Sequence, residues 1–435
     1  SETCWLPAHC FIKPRSALEV AIALKIVTSL GAKFAVRSGG HNPGPGFASI
    51  GSEGVLFDLG DMNQVTLSAD KSYVSLGPGG SWEKVYNVLE KSELNVVGGR
   101  VAGVGVGGLI LGGGMSHFTN RWGMVADNVK NFEIVLADSR IVNANNNSNA
   151  DLFEVLKGGG PNFGIVTRYD LFTKPDYKLW YTTKAYSIDN ASAVMSAAIA
   201  VEENMINDDK AGFFLTATPT ALVAGMLYRD WAENRPEAFA PFDNITPLAV
   251  VVPETNGTEQ SSAIGQTQDQ IGKRASGTIS LQPDADLYVN TLAILQEVVS
   301  KAPSISLVHT FQPLGAPSVA KSKSLGGNVL NVQPVSQSWV AVAAFWTDDA
   351  DDAKGVEQTQ TLVKRIKSAA ADAGKLLDFD FMNDANFEQS PLKHYGDASI
   401  SLMKKASTKY DPSGVFQTLQ NNGFLLSKID QATVP

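Results

Sequence analysis

The chain has 435 residues, 44% of them apolar, and a formal net charge of −9, so it is long enough for two or three domains with sizeable cores. An acidic chain without a long basic run excludes nucleic acids and anionic membrane surfaces as expected partners. No apolar run approaches the roughly 20 residues needed to cross a bilayer, so we expect no membrane-spanning segment.

Features of the N-terminal region and scattered sequons predict the cell compartment. Both cysteines, Cys4 and Cys10, lie in the first ten residues, and we expect a disulfide between them, with two free thiols as the alternative. Glycosylation triplets begin at four asparagines: Asn146, Asn190, Asn244 and Asn256. Together with a first residue that is not Met, these features predict a secreted protein whose signal peptide has been removed.

The chain opens with a predicted helix, strand and glycine turn. Apolar residues recur at helical spacing over 18–30, with Ser16 as N-cap and Gly31 as terminator. A strand over 34–36 follows and ends at Arg37-Ser38-Gly39-Gly40-His41. The paired glycines let a ligand approach the backbone. His41 would then act as nucleophile, base or metal ligand, unless it is simply a residue of a surface turn.

Strands predicted over 55–58, 65–67 and 73–76 precede a helix over 81–89, and a glycine-rich run then fills 98–114. Seven of the twelve residues from Gly103 to Gly114 are glycine, a composition that disfavours both an ordinary helix and an ordinary strand. The run lacks the βαβ context of a Rossmann site. Its apolar spacing residues also disfavour a flexible linker. We therefore predict a nest of backbone amides around a diphosphate and a flat ring.

The later part of the chain has a different pattern. Strands are predicted over 181–188, 212–218, 221–228 and 338–346, and helices over 284–301 and 351–373. This succession indicates an α+β region. The Ser/Gln/Gly-rich stretch 256–280 is predicted to be a loose segment.

Four motifs in fixed order resemble a known family. They are Arg37-Ser38-Gly39-Gly40-His41, Val104-Gly105-Val106-Gly107-Gly108 with Gly112-Gly113-Gly114, Asp127-Asn128-Val129, and the segment 160–167. In this order they resemble the FAD-linked oxidases of the vanillyl-alcohol-oxidase and p-cresol-methylhydroxylase (PCMH) type, in the berberine-bridge-enzyme-like branch, with a fungal character. The resemblance returns near the C-terminus at 381–383 and 410–412.

The resemblance implies an α+β fold in three segments. Residues 1–175 would form a PCMH-type FAD-binding domain and residues 176–375 a substrate domain with an antiparallel sheet. Residues 376–435 would return to the FAD domain. The implied cofactor is FAD, attached through His41, and no metal site is expected. Many relatives add a second link through a cysteine at the position of Val101, so this chain would have one covalent link only.

The resemblance and the glycine turns together give a set of candidate FAD-binding residues. The set comprises Arg37, Ser38, Gly39, Gly40, His41, Asn42, Pro78, Gly79, Gly99, Val101, Val104, Gly105, Gly108, Gly113, Ser116, Gly164, Ile165, Val166 and Asn383. In relatives the residue at Val104 borders the face where O₂ meets reduced flavin, and a small valine there implies an oxidase.

The candidate base is Asp384. Relatives of this branch have a tyrosine at this position, whereas this chain reads Asn383-Asp384-Ala385. An aspartate is already ionised at neutral pH but is a weak base unless burial raises its pKa. Asp384 is either that base or a solvated loop carboxylate, and the alternative bases are His309, Tyr395 and His394. The lost tyrosine also argues against an oligosaccharide substrate.

These observations predict a secreted, monomeric FAD-dependent oxidase. It would transfer a hydride from an alcohol or ring C–H of a small molecule, a secondary metabolite or a saccharide, to flavin N5. O₂ would then reoxidise the flavin and give hydrogen peroxide. The alternatives are a flavin-containing cyclase or isomerase without net redox chemistry, and a flavin-loaded binding protein with a degenerate site.

Overall fold

The structure, a computed structural model, describes residues 2–265 and 272–429. Its strands are β1 (Cys10–Ile12), β2 (Lys33–Arg37), β3 (Gly54–Asp58), β4 (Val65–Leu67), β5 (Tyr73–Leu76), β6 (Asn95–Val96), β7 (Val129–Val135), β8 (Ile141–Ala144), β9 (Ile165–Lys174), β10 (Lys178–Ser187), β11 (Ala211–Ala217), β12 (Ala221–Tyr228), β13 (Ala249–Thr258), β14 (Lys273–Leu281), β15 (Ser306–Leu314), β16 (Gln337–Trp346) and β17 (Leu376–Leu377). Its α-helices are α1 (Ala17–Ser29), α2 (Trp82–Glu90), α3 (Val106–Leu111), α4 (Thr119–Trp122), α5 (Ala150–Leu156), α6 (Ala191–Asn207), α7 (Glu259–Gly265), α8 (Ala285–Ser300), α9 (Ala316–Ser324), α10 (Asp352–Asp372), α11 (Gly396–Tyr410) and α12 (Val415–Thr418).

The strands form three sheets. The first is parallel, in the order β1-β3-β2, and the second is antiparallel, in the order β4-β5-β9-β7-β8, with β6 paired to β9. The third is an antiparallel sheet in the order β13-β10-β12-β11-β15-β16-β14-β17. Helices packed on sheets in this way confirm the α+β fold class.

The N-terminal helix forms as its sequence predicts. The Ser16 hydroxyl accepts a hydrogen bond from the Glu19 N–H, which caps α1. Its buried face packs on Phe34 and Phe57 of the first sheet, and Phe416 completes this core. The Phe34 N–H donates to the Leu419 carbonyl oxygen at 2.9 Å, so the C-terminal segment joins the first sheet.

Helices α6, α8 and α10 cover one face of the third sheet and share a core with its strands. On β15, Leu307 and Phe311 belong to this core, and alternation of side chains along a strand turns Gln312 to the opposite face. All strands of this sheet come from residues 178–377. Val329 and Leu330, by contrast, pack in the core of the second sheet.

The predicted disulfide between Cys4 and Cys10 is wrong for this structure. No bond joins the two sulfurs. Cys4 is buried in a short 3₁₀ helix (Glu2–Cys4) that packs against β14, whereas Cys10 is exposed at the start of β1. The two cysteines therefore lie in different elements of the fold, one buried and one exposed.

The predicted loose segment over 256–280 is also wrong where the structure describes it. Residues 256–258 end β13, α7 follows, and β14 begins at Lys273. Residues 266–271 of this segment lie outside the described residues. The Ser and Gly residues of β14 are typical of a loop by composition. They form a strand because they pair in register with the apolar strand β16.

The sequon at Asn256 is already engaged in the fold. The Asn256 side chain accepts a hydrogen bond from the Ala232 N–H at 2.9 Å and donates to the Ala232 carbonyl oxygen at 3.0 Å. Asn244 is exposed in the turn before β13 and is the more accessible acceptor. In residues 2–265 and 272–429, no helix combines the length and apolarity required to cross a membrane.

One carboxyl is buried in the core of the third sheet. Glu202 of α6 accepts hydrogen bonds from the Tyr288 hydroxyl at 3.1 and 3.3 Å. Burial raises the pKa of Glu202 to about 8, so the folded protein holds a proton on it at neutral pH. Because the unfolded chain releases that proton near pH 4.5, folding stability falls as the pH rises above that value and levels off above about pH 8.

We therefore expect Glu202→Gln to stabilise the fold at pH 7, by about 3 kcal/mol as an upper limit. The amide is neutral and keeps an acceptor for Tyr288. Urea unfolding at pH 5 and pH 7.5 measures the effect, which should be larger at the higher pH. Glu203→Gln, on the exposed neighbour, is the control. An equal gain in both variants would show that burial of Glu202 is not the cause.

Candidate active site

Two glycine-rich segments touch at their backbones. A Cβ placed on Gly39 would lie 2.5 Å from the Gly105 Cα, and one placed on Gly105 would lie 2.6 Å from the Gly39 Cα. Gly105 also bridges to Ser81, at the start of α2. The turn after β2 and the turn before α3 are therefore in direct contact, which only glycine permits at this distance.

Gly39→Ala is expected to force these turns apart and to destabilise the protein by about 1–3 kcal/mol. The same change at Gly265, where a Cβ would meet no atom of the described residues within 4 Å, should leave the free energy of unfolding within about 0.5 kcal/mol of wild type. Thermal and chemical unfolding of both variants measure this. Equal stability of the two variants would contradict the contact.

Each residue of the His41 loop has an anchor. Arg37 pairs with Asp58 at 2.9 Å, and the Ser38 hydroxyl donates to the Pro78 carbonyl oxygen. Gly40 has a φ of 65°, a conformation that favours glycine. The His41 carbonyl oxygen accepts a hydrogen bond from Arg274 of β14. The Asn42 side chain accepts one from the Gly44 N–H at 2.7 Å.

The glycine-rich run 98–114 lies next to this loop. The Tyr86 hydroxyl donates to the Gly99 carbonyl oxygen at 2.6 Å, and Trp82 lies where a Gly99 side chain would be. Val101 and Val104 are half-buried, and Gly108 is exposed with no atom within 4 Å of a built Cβ. The run is thus held from behind by α2, while part of its backbone stays open.

The other predicted FAD-binding residues lie around this centre, and several offer only backbone. Gly79 packs against Leu59, Gly113 has a φ of 104°, and Gly164 packs against Val135. Ile165 and Val166 are buried in cores at the start of β9. The hydroxyl of Ser116, which is also buried, accepts the Phe118 N–H at 3.0 Å.

Asn383 connects the C-terminal segment to the glycine-rich run. Its side chain accepts a hydrogen bond from the Gly114 N–H at 3.0 Å and donates to the Gly108 carbonyl oxygen at 3.2 Å. A Cβ on Gly112 would lie 2.4 Å from the Asn383 amide nitrogen. Asn383 therefore closes the end of α3, and it fixes the position of the next residue, Asp384.

Asp384 is held by a residue from the third sheet. The Gln312 side-chain N–H donates to the Asp384 carboxylate at 2.8 Å and to the Trp339 carbonyl oxygen at 3.2 Å. Burial raises the pKa of Asp384, and the nearby Arg100 guanidinium and the Gln312 hydrogen bond limit that rise. A carboxylate with a raised pKa is a better proton acceptor than an ordinary aspartate.

The structure does not bring the alternative bases to Asp384. His309 is fully buried on the helix-covered face of β15, with its Nε2 3.0 Å from the Thr291 hydroxyl, and burial lowers its pKa to about 3. Tyr395 is fully buried, and its hydroxyl donates to the Gly158 carbonyl oxygen at 3.0 Å. Because both side chains are enclosed in the protein core, neither enters the reaction proposed below.

His394 lies between two carboxylates instead. Its Nδ1 is 2.5 Å from Asp378 and its Nε2 is 3.3 Å from Asp380. The Asp380 hydrogen bond is the largest cause of the raised pKa of His394. An imidazole whose pKa is raised in this way holds its proton more firmly than an ordinary histidine and, once charged, cannot accept another.

Sequence reasoning missed three residues of this site. Gln312 is a polar residue on the opposite face of β15 from Leu307, His309 and Phe311, and that period-2 pattern could have identified it. Arg100 is a lone cation inside a glycine-rich run. Arg274 gave no signal, because its partner is the backbone of a residue 233 positions away.

The residues present fit a flat cofactor that carries phosphates. Gly39 and Gly108 are exposed, so the backbone of both glycine-rich segments is open to a ligand at these two positions. Backbone N–H groups of such turns bind phosphates without basic side chains. The half-buried His41 and Val101 belong to the same two segments.

Comparison with known proteins finds matches to FAD-dependent proteins. A family profile described as "FAD binding domain" matches residues 8–145. A FAD-dependent monooxygenase of Arthrobotrys oligospora is 36% identical over 431 residues, covering 98% of this chain and 84% of the relative.

Two solved structures share the fold. A xylooligosaccharide oxidase from Myceliophthora thermophila in complex with xylobiose superposes with a TM-score of 0.80 at 19% identity, covering 97% of this chain and 94% of that one. A glucooligosaccharide oxidase from Acremonium strictum, described with a 6-S-cysteinyl, 8α-N1-histidyl FAD, gives 0.79 at 19% identity, covering 95% and 91%.

Proposed function

Since the chain belongs to the FAD-dependent oxidoreductases with a PCMH-type FAD-binding domain, in the berberine-bridge-enzyme-like branch, we propose that it oxidises an alcohol or ring C–H of a small molecule. Bound FAD would accept a hydride at N5 and pass two electrons to O₂. The substrate then loses two hydrogens, and O₂ becomes hydrogen peroxide. His41 would hold the FAD through one covalent bond.

The observation that carries this proposal is the cluster of Asp384, Gln312 and Arg100. Asp384 would take the O–H or N–H proton of the substrate as the hydride leaves. Gln312 orients the carboxylate, and the positive charge of Arg100 favours its ionised form. The hydrogen bonds of Asn383 to Gly108 and Gly114 fix the position of the next residue, Asp384, relative to the glycine-rich run.

We propose a secondary metabolite or a saccharide as the substrate class. Supporting examples are the saccharide oxidases among the structural neighbours. The name of the Arthrobotrys relative, a FAD-dependent monooxygenase, favours a second candidate reaction, in which one oxygen atom of O₂ enters the product. In that reaction the other oxygen atom becomes water, with two electrons from an added reductant. The two reactions therefore differ in the amounts of reductant consumed and hydrogen peroxide formed per product.

An anaerobic screen of sugars, aryl alcohols and alkaloids tests the proposal. A substrate should bleach the flavin absorbance, and admission of air should restore it with one hydrogen peroxide per product. Label from ¹⁸O₂ in the product would favour monooxygenation. Product formation without bleaching would contradict both reactions and indicate an isomerase or cyclase.

Val104→Leu is expected to slow reoxidation of the reduced flavin by at least tenfold. Val104 is half-buried at the exposed part of the glycine-rich run, where a larger side chain would fill the path of O₂. Stopped-flow mixing of the anaerobically reduced enzyme with oxygenated buffer measures this rate. Val65→Leu, a half-buried valine of β4, is the control. A wild-type reduced flavin that survives for minutes in air would contradict the oxidase proposal.

We further propose that the protein is secreted and monomeric. The four sequons support secretion. Cys4 and Cys10 do not add support, because they form no disulfide bond in this structure. Glycosidase treatment of protein from a eukaryotic host should lower its mass, with Asn244 as the main carrier. Light scattering at micromolar concentration should give the mass of one chain.

A further inference from the structure

A small cavity lies behind the glycine-rich run, away from Asp384. It has a volume of about 10 Å³, the room of one water or small ion. Its polar walls come from Asn95, Ser116, Lys174, Arg229 and Glu259, and Trp122 is part of its apolar wall. None of the cationic residues of this cavity takes part in the reaction proposed above.

Arg229 is the most deeply buried cation of the cavity, with 6% of its surface exposed. One guanidinium nitrogen pairs with Glu259, and another donates to the Asp176 carbonyl oxygen at 3.4 Å. Its Nε has no hydrogen-bond partner among the described residues. A buried N–H without an acceptor costs about 1–3 kcal/mol, so this position favours an acceptor in the cavity.

Two cations lie over the ring of Trp122, which lines the cavity. The Lys174 and Lys321 ammonium groups lie 4.3 and 5.5 Å from the centre of the Trp122 ring. In the described part of the chain, no carboxylate lies within 4 Å of either group. Burial and the charge of Lys321 lower the pKa of Lys174 to about 8.

The cations of this region differ in their partners. Arg121 also lies over Trp122, but it pairs with Asp176 at 3.2 Å and Asp209 at 2.6 Å. Arg121 and Arg229 therefore have carboxylate partners within 4 Å. Among the described residues, Lys174 and Lys321 over the same ring do not, and Asp176 acts on Lys174 only from a greater distance.

We propose that the cavity between Trp122, Lys174 and Arg229 binds one small monovalent anion of the halide type. The anion accepts from the Arg229 Nε–H and the Lys174 ammonium and offsets the positive charge of the two lysines over Trp122. A water molecule would satisfy the N–H but would leave the charge. The volume excludes sulfate and phosphate, which are several times larger than one water.

Thermal unfolding of the holoenzyme at constant ionic strength tests the proposal. Replacing sodium gluconate with sodium chloride should raise the Tm in a saturable manner, by about 1–2 °C at tenfold excess over the Kd. Lys174→Met should remove the saturable rise, and Lys174→Arg should retain it. Lys323→Met, at an exposed lysine of the same helix as Lys321, is the matched control.

Bromide quenching gives a readout at the site itself. Bromide should quench part of the tryptophan fluorescence with the same apparent Kd, and Trp122→Phe should remove that component. Sulfate as effective as chloride, an unchanged response in Lys174→Met, or no saturable component in wild type would each overturn the proposal. Turnover is not needed for either measurement, so failure here is separate from failure of the proposed oxidase activity.

Discussion

His41→Ala is expected to release all of the FAD when the protein is precipitated with acid, whereas wild-type precipitate should stay yellow. Val101 lacks the thiol that the doubly linked relatives use, and the sequence has no cysteine after Cys10. His41 is therefore the one expected attachment point. Its anchor to Arg274 uses the backbone carbonyl, so the substitution should leave the loop in place. Flavin fluorescence of the protein band on a denaturing gel measures the covalent fraction.

Two controls make this result specific. Val101→Ala removes a side chain from the same site without touching the link, so its flavin should remain covalent. Adding Val101→Cys to His41→Ala should restore part of the covalent flavin if Val101 occupies the second attachment position. A flavin-bearing peptide without His41 in a tryptic digest of wild type would show that the assignment is wrong.

Asp384→Asn is expected to slow flavin reduction by about 10²–10⁴-fold at pH 7, the usual range for loss of a general base. The asparagine keeps an oxygen that can accept from Gln312, so the fold should be unaffected. In wild type the rate should rise with pH through the raised pKa of Asp384, because only the ionised carboxylate accepts a proton. The variant should lose that rise. Anaerobic stopped-flow reduction over pH 4–9 measures both effects.

Glu388→Gln is the matched control, because Glu388 is a half-buried carboxylate of the same segment. It should keep the wild-type rate and the wild-type pH profile. An unchanged rate and profile in Asp384→Asn would remove Asp384 as the base. A slower rate that retains the wild-type pH dependence would assign Asp384 a positioning role and the proton transfer to another group.

Local chemistry in the sequence predicted several elements of the N-terminal part of the fold, but not β1 or α3, a helix that forms inside the glycine-rich run 98–114. Ser16 and Ser81 cap α1 and α2 as expected, and β4 and β5 have the predicted bounds. These features depend on residues within a few positions of each other. The strand β14 was missed because its many Ser and Gly residues take their order from β16, which lies about 65 residues later.

The candidate site also combines features that local sequence predicts with features that depend on distant strands. The glycine turns were visible because close backbone approach requires glycine, as Gly39 and Gly105 show. The sequence could not place His309, because a histidine beside apolar residues of a strand does not show which sheet face it occupies. The register of β15 against β16 decides that question, and it turns Gln312 rather than His309 toward Asp384.

Asn383 has a consequence for the order of events during synthesis. Its bond to the Gly108 carbonyl oxygen spans 275 positions, so the glycine-rich run leaves the ribosome long before the residue that closes it. We therefore expect the glycine-rich run to lack its Asn383 contact until residue 383 has left the ribosome. A nascent chain shorter than that is expected to hold FAD less tightly than the folded protein, so capture of the cofactor should come late in folding.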